Sequence, residues 1–237
     1  MQGPGTVVRI VVVSDLHANL AALERVIADM PGCDEFYCLG DVVGYGPQPN
    51  EVIETMKAQK PAVILAGNHD QAIVTGETSG FVEQAVKAIQ WTRQNLSQPN
   101  LSFLKTLRPS ARRTVAAQSI ALYHGSPKDP LNEYVFPGTP DAVLRELIRL
   151  SKATILLQGH THTPMAFKDR HGILLNPGSV GQPRDGDPRA SYMILEVERE
   201  KVNHKIRRVR YDVEKTSHAI LANGLPRFLA ERLHQGI

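Results

Sequence analysis

The residues of this chain best suited to chemistry fall in five short blocks: Asp15-Leu16-His17, Gly40-Asp41, Gly67-Asn68-His69-Asp70, His124-Gly125 and Gly159-His160-Thr161-His162. Each follows an apolar run that reads as a β-strand, and each offers a carboxylate, an amide or an imidazole. Together they supply seven prospective metal ligands: Asp15, His17, Asp41, Asn68, His124, His160 and His162. Mixed oxygen and nitrogen donors suit Mn²⁺, Fe, Zn²⁺, Co²⁺ or Ni²⁺ better than the all-oxygen shells of Mg²⁺ or Ca²⁺. So many donors exceed what one such ion takes from protein. They divide over two ions if one carboxylate bridges.

Charge narrows the substrate. Two divalent ions, less the charges of Asp15, Asp41 and a bridging hydroxide, leave a pocket of about +1. That charge suits a phosphodiester, or a monoester carrying up to two negative charges. Ion pairs about 3.5–4 Å apart stabilise the attacking and leaving oxygens of an in-line displacement and acidify a bound water.

The elements that must position these blocks are legible from pattern. Val7 to Val13 is a short, β-branched run that reads as a buried strand. Leu20, Leu23, Val26 and Ile27 mark one face of a helix over 19–30. A strand at Asp34 to Leu39, a helix from Asn50 to Ala58 with Asn50 as cap, and a strand at Ala62 to Ala66 complete a β-α-β-α-β alternation. Such alternation argues for a mostly parallel sheet, with ligands collecting beyond the carboxyl ends of its strands. Gly80 to Leu107 reads as helical with a break at Pro99, and strands return at Arg113 to Val115 and Ile120 to Tyr123. Thr139-Pro140-Asp141 reads as a helix start with Thr139 as cap. That helix feeds a strand at Thr154 to Leu157. Alternating segments at 165–168, 173–175, 191–197 and 202–211 suggest an antiparallel second sheet or its edge, and two helices close the chain, one ending at Gly224. The expectation is an α/β protein: two packed sheets with helices outside, one domain over 1–237, and a helical insert at about 76–109.

Bulk properties exclude several classes. The chain has 237 residues, 42% of them hydrophobic and 22% charged, an ordinary globular composition. A formal charge of +3 gives no case for duplex nucleic acid, and Lys205, Arg207, Arg208 and Arg210 alternate as the solvated face of a strand would. Two cysteines, Cys33 and Cys38, make neither a disulfide scaffold nor a zinc site and read as reduced packing residues. No signal-like or membrane-spanning run is present, so a cytoplasmic protein is expected. His171, His204, His218 and His234 lie outside every block and read as surface residues, and Trp91 as core.

The ordered blocks, D-x-H, G-D, G-N-H-D, H-G and G-H-x-H, resemble the signature of the calcineurin-like metallophosphoesterase superfamily. The stretch from Pro164 to Tyr192, with Asn176-Pro177-Gly178-Ser179-Val180, is similar to its small prokaryotic phosphodiesterase branch. The resemblance implies a two-sheet β-sandwich flanked by helices. It implies Asp15, His17 and His162 on one ion, Asn68, His124 and His160 on the other, and Asp41 between them. It implies His69 as a catalytic group that ligates nothing and serves the leaving oxygen as proton donor or charge stabiliser. Asp70, the other residue given a catalytic part, would hold a nearby imidazole or backbone group. The activity implied is that of a metal-dependent phosphoesterase, foremost a phosphodiesterase in which a metal-bridging hydroxide attacks phosphorus, with Mn²⁺ the foremost cofactor.

One departure bears on substrate. Protein phosphatases of this superfamily carry G-D-x-V-D-R-G, whereas this chain reads Gly40-Asp41-Val42-Val43-Gly44-Tyr45-Gly46, without the second Asp or the Arg. This argues against a phosphoprotein and for a small phosphoester, nucleotides included. A phosphate-gripping cation must come from elsewhere, and Arg184 or Arg189 are candidates; Tyr45 lines the pocket or packs beneath its loop. A phosphomonoesterase, a dinucleoside polyphosphate hydrolase, a nuclease and a non-catalytic metal-binding scaffold remain as alternatives. The oligomeric state, homo-oligomers included, has no signal in the sequence.

Overall fold

In the computed structural model, residues 7–237 are described; residues 1–6 lie outside that description. The chain opens with β1 (Val8–Val13), α1 (Leu20–Asp29), β2 (Glu35–Cys38), α2 (Pro49–Ala58) and β3 (Val63–Ile64). Three helices follow: α3 (Asn68–Thr75), α4 (Glu83–Asn95) and α5 (Gln98–Leu104). Then come β4 (Ser110–Val115), β5 (Gln118–Tyr123), α6 (Asp141–Ser151), β6 (Ile155–Leu157), β7 (Met165–Asp169) and β8 (Gly172–Asn176). The chain closes with β9 (Ala190–Val197), β10 (Val202–Val209), α7 (Val213–Ala222) and α8 (Arg227–Gln235).

Two five-stranded sheets form, ordered β10-β9-β1-β2-β3 and β4-β5-β6-β8-β7. The run in β1 is apolar on both faces because both are covered. Ile10 and Val12 enter the layer between the sheets with Tyr37, Leu39, Ile120, Leu122, Ile155 and Leu157, whereas Val11 and Val13 pack outward under α1 and α2. Strands buried on both faces lose the alternation of half-exposed ones. On the other sheet Ala121, Leu156 and Leu174 face outward and are covered by Leu144, Leu147 and Ile148 of α6.

β1, β2 and β3 are parallel, as are β5, β6 and β8, so both sheets send carboxyl ends toward the loops that carry the ligand blocks. The four carboxy-terminal strands do not form one antiparallel unit as the alternation suggested. β7 and β8 complete the second sheet, β8 running parallel to β6, whereas β9 and β10 pair antiparallel beside β1 in the first. Alternation reports which face of a strand is buried and carries no information on its neighbour.

Local corrections concern helix starts. The helix expected to begin at a capping Asn50 begins at Pro49, and Asn50 instead bridges elements: its amide donates to the Asn95 carbonyl and its oxygen accepts from Ser97 N and Asn100 Nδ2. Thr139 does not cap α6; Pro140 occupies that position without a side-chain bond. Pro99 breaks nothing: it sits in the first turn of α5, whose cap is the Ser97 hydroxyl accepting from Asn100 N. α3 has no counterpart in the sequence reading, because its residues Asn68 to Thr75 lack an apolar stripe. Cys33 and Cys38 are free, and Trp91 is partly buried against the α4, α7 and α8 contact. Among the described residues no helix is long and apolar enough to cross a membrane.

Candidate metal centre

Five strands deliver the prospective ligands. Asp15 and His17 follow β1, Asp41 follows β2, Asn68 follows β3, His124 follows β5, and His160 and His162 follow β6. The backbone has to turn sharply to aim them. Asp15, His17, Asp41, His160 and His162 all have positive φ, between 45° and 67°, in a region that L-residues with a Cβ enter at a cost. Strain of about 1–3 kcal/mol per such residue persists only where the surroundings over-determine it. Here they do: Asp15 N donates to Gly40 O, His17 N to Asp41 O, and Gly181 N to Asp15 O. Gly40, at φ +101°, tolerates no side chain, since a Cβ would lie 2.6 Å from Gly67 N.

The side chains converge in two groups. Asp15, His17, Asp41 and His162 form one and Asp41, His124 and His160 the other, with ligand atoms inside each within 4.8 Å of one another. Asp41 belongs to both: its Oδ2 is 3.5 Å from His17 Nε2 and 3.5 Å from His124 Nε2. His162 Nε2 lies 3.4 Å from Asp15 Oδ1 and 3.1 Å from His17 Nε2, and Asn68 Oδ1 lies 3.2 Å from His124 Nε2. Ligands about 2.0–2.2 Å from one transition ion stand roughly this far from each other.

Hydrogen bonds behind the imidazoles fix which nitrogen faces inward. His124 Nδ1 donates to Leu39 O at 2.8 Å and His162 Nδ1 to Gln182 O at 2.5 Å, leaving each Nε2 as a lone pair toward the centre. His160 Nε2 donates to Asn132 O at 3.2 Å, freeing its Nδ1. Asp15 Oδ1 and Asp41 Oδ2 are buried carboxylate oxygens with no hydrogen-bond partner. Orphaned anionic oxygens are costly without a counter-charge, and they sit where ions would. The residues fit a pair of transition-metal cations.

Protonation of the cluster tells the same story. Burial raises the pKa of Asp15 to about 7. Burial also acts to raise Asp41, but His124 and His69 outweigh it and hold the carboxyl well below its usual range. Burial acts to lower His124, yet Asp41 and Asp15 lift it to about 9. Burial lowers His17 and His162 well below the usual imidazole range and His160 to about 3. The buried carboxylates thus recruit positive charge, from a proton on His124 where no cation supplies it.

His69 stands outside both groups. Its ring lines the adjoining cavity and packs against Tyr45, His17 and Phe81 at centroid distances of 4.3, 5.0 and 5.0 Å. Burial lowers its pKa to about 4, so the ring is a neutral N–H donor at pH 7. Asp70 holds backbone and no imidazole: its carboxylate accepts from Val42 N, Val43 N and Gly67 N at 3.1, 3.0 and 2.9 Å. Of the two roles expected for Asp70, holding an imidazole or holding backbone, the structure shows the second, and Asp70 acts as a positioning residue. It reaches back over the first turn of α3, where His69 N donates to Asp41 Oδ1 at 2.9 Å.

The Asn176 to Ser179 turn braces the centre from behind. Asn176 Nδ2 donates to Gly159 O and Thr161 Oγ1, and Ser179 Oγ donates to Asp15 O. Of the candidate phosphate-gripping cations, Arg184 lines the cavity, its guanidinium 5.7 Å from the Tyr45 ring centroid. Arg189 does not: exposed, it is taken up by Asp187, two residues away, through three contacts of 2.6–3.1 Å. Tyr45 serves both expected roles, being buried and facing the cavity. The sequence reading missed Tyr134, which stacks on His160 with centroids 3.8 Å apart, and Phe228 and Arg232 of α8, which reach the cavity wall. It also missed the carbonyls of Leu39, Asn132 and Gln182, because a backbone acceptor leaves no residue-type signal.

Residues 8–200 match the calcineurin-like phosphoesterase superfamily domain, and the chain belongs to that family. It is 35% identical to the protein MJ0912 of Methanocaldococcus jannaschii, over 96% of this chain and 98% of that one. It is 30% identical to the phosphodiesterase YfcE of Escherichia coli, over 77% of this chain and 84% of that one. Among solved structures, the metallophosphoesterase from Sphaerobacter thermophilus superposes with a TM-score of 0.83 at 33% identity, covering 97% of this chain and 99% of its own.

Proposed function

We propose that the protein is a phosphodiesterase that works with two divalent transition-metal ions, Mn²⁺ foremost, on a small phosphoester. One observation supports this above others: Asp41 Oδ2 is unpaired, buried and equidistant from a histidine of each ligand group, the position of a bridging ligand. The similarity to YfcE, named a phosphodiesterase, supports the diester preference.

Ions bound there would supply positive charge to the phosphoryl oxygens and acidify a water. The chain does the rest. Asp15 and Asp41 bring negative charge to hold the ions, and the carbonyls behind His124, His160 and His162 keep their imidazoles in the ligating tautomer. His69 presents an N–H from the cavity wall toward the departing oxygen. Arg184, beside Tyr45, presents its guanidinium to an anionic group of the substrate. The absence of the phosphatase-type Asp and Arg after Asp41 favours small molecules over phosphoproteins.

The test is hydrolysis of bis(p-nitrophenyl) phosphate and p-nitrophenyl phosphate side by side. Turnover is expected to vanish in excess chelator, to return best with Mn²⁺, and to favour the diester. Full turnover in excess EDTA would defeat the reading, and a preference for the monoester would replace it with a phosphomonoesterase.

A further inference from the structure

The cavity beside the ligands, of about 660 Å³, extends to the C-terminal helix and has the size of a small-ligand pocket. Asn68, His69 and His160 open onto it from the candidate metal centre, and among the described residues its lining contains no Asp or Glu. Two guanidiniums face it, Arg184 and Arg232. Most other arginines of this region are neutralised: Arg189 by Asp187, Arg207 by Asp29, Arg208 by Asp185 and Arg227 by Glu231. Arg184 instead donates through Nε and Nη2 to the Gln182 amide oxygen, and Arg232 donates through Nε to the main-chain oxygen of Ile237, the last residue of the sequence, with its Nη1 and Nη2 unpartnered among the described residues. Among the described residues neither pairs with a carboxylate side chain.

The fold holds both in place. Leu229, Ala230 and Leu233 seat α8 against Tyr45, Ala85, Ala88 and Ile220, which leaves Phe228 and Arg232, one turn apart, on the cavity side. The Arg232 guanidinium lies 5.1 Å from the Phe228 ring centroid. The loop of Arg184 is tied to the end of α8 by Gly186 N donating to Gly236 O at 2.9 Å. Arg184 is one aromatic ring from the ligands, through Tyr45, whose ring is 4.7 Å from that of His17. Burial and the charge of Arg184 lower the Arg232 pKa to about 10, so both groups remain cationic at neutral pH. Two cations sharing a half-enclosed cavity repel unless an anion lies between them.

We propose that Arg184 and Arg232 form an anion subsite beside the metal centre, and that the substrate is a nucleotide carrying a second phosphate received by this pair. The scissile phosphate lies at the metal ligands, and the sugar and base lie against Phe81 and Phe228, which line the same cavity. This rests on the phosphoesterase reading and narrows its substrate. Arg232 lies beyond residues 8–200, so this half of the subsite is no part of the matched family domain.

The test is calorimetric binding of AMP, ADP and adenosine 3′,5′-bisphosphate to the Mn²⁺-loaded full chain at fixed ionic strength. At least one two-phosphate nucleotide is expected to bind about tenfold tighter than AMP, the gain of one charge-assisted contact. Which of the two gains tells whether the second phosphate follows the first or sits on the sugar. In Arg232→Gln the ratio to AMP is expected to fall to within about twofold, and in Arg232→Lys to recover in part. Equal wild-type affinities for all three would overturn the proposal, as would a ratio that survives Arg232→Gln. Tight two-phosphate binding without hydrolysis of any diester would keep the subsite and remove the phosphodiesterase reading. Diester hydrolysis without the ratio would remove the subsite alone.

Discussion

Asp41 concentrates the chemistry of the molecule in one carboxylate. One oxygen accepts from His69 N at 2.9 Å and the other faces both groups of prospective ligands, so structure and the proposed ligation depend on the same side chain. Asp41→Asn keeps the shape and one acceptor but removes the charge. It is expected to lower diester turnover by at least about a hundredfold and to weaken Mn²⁺ binding, measured by initial rates and by metal analysis after dialysis. His69→Ala is expected to do something different: turnover falls by about a hundredfold, within the range of a lost hydrogen-bond donor to the developing charge, while bound Mn²⁺ is retained. A variant that loses metal would show His69 to be a ligand. The convergence of these side chains was legible in the sequence because the proposed ligation demands particular residue types, and Asp15, His124 or His162 could not be exchanged for neighbours of like size. The left-handed backbone at five of them was not legible, since none is a glycine and the strain is imposed by contacts such as Gly181 N to Asp15 O, made across more than 160 residues. Arg189 misled because a cation near the site in sequence can be captured by a carboxylate nearer still, here Asp187.

Between elements, Asp70 is the clamp. Its carboxylate collects three N–H groups from two loops, which locks the turn after β2 to the start of α3 and thereby fixes Asp41 relative to Asn68. Asp70→Asn cannot accept all three equally well. A loss of about 1–3 kcal/mol in unfolding free energy is expected, measured by urea denaturation of the metal-free protein; no change would show that the clamp carries no load. The strands preceding the ligand blocks were readable because β-branched apolar runs such as 8–13 admit few other structures. The helix starts were less so. Asn50 has a good capping side chain that finds better partners on the α4–α5 turn, and α3 forms because tertiary bonds from Val42 N and Val43 N to Asp70 and from His69 N to Asp41 hold a segment with little helical pattern of its own.

At the scale of the whole molecule, two sheets meet so that parallel strands from each point their carboxyl ends at one place. Neither sheet could build the centre alone: Asp15, His17, Asp41 and Asn68 come from the first, and His124, His160 and His162 from the second. Two packed sheets were foreseeable from the strand pattern, and a sandwich from the family resemblance, but the separation of β7 and β8 from β9 and β10 was not, because strand partners are chosen by packing across the layer. Nor was the return of α8 to the cavity, which depends on Leu229 and Leu233 finding Tyr45 and Ile220. The proposed sharing of Asp41 by two ions is tested most directly by the diester hydrolysis rate followed against equivalents of Mn²⁺ added to metal-free protein. The rate is predicted to climb until two equivalents per chain are bound and then to level; saturation at one equivalent, or no turnover at any, would contradict it.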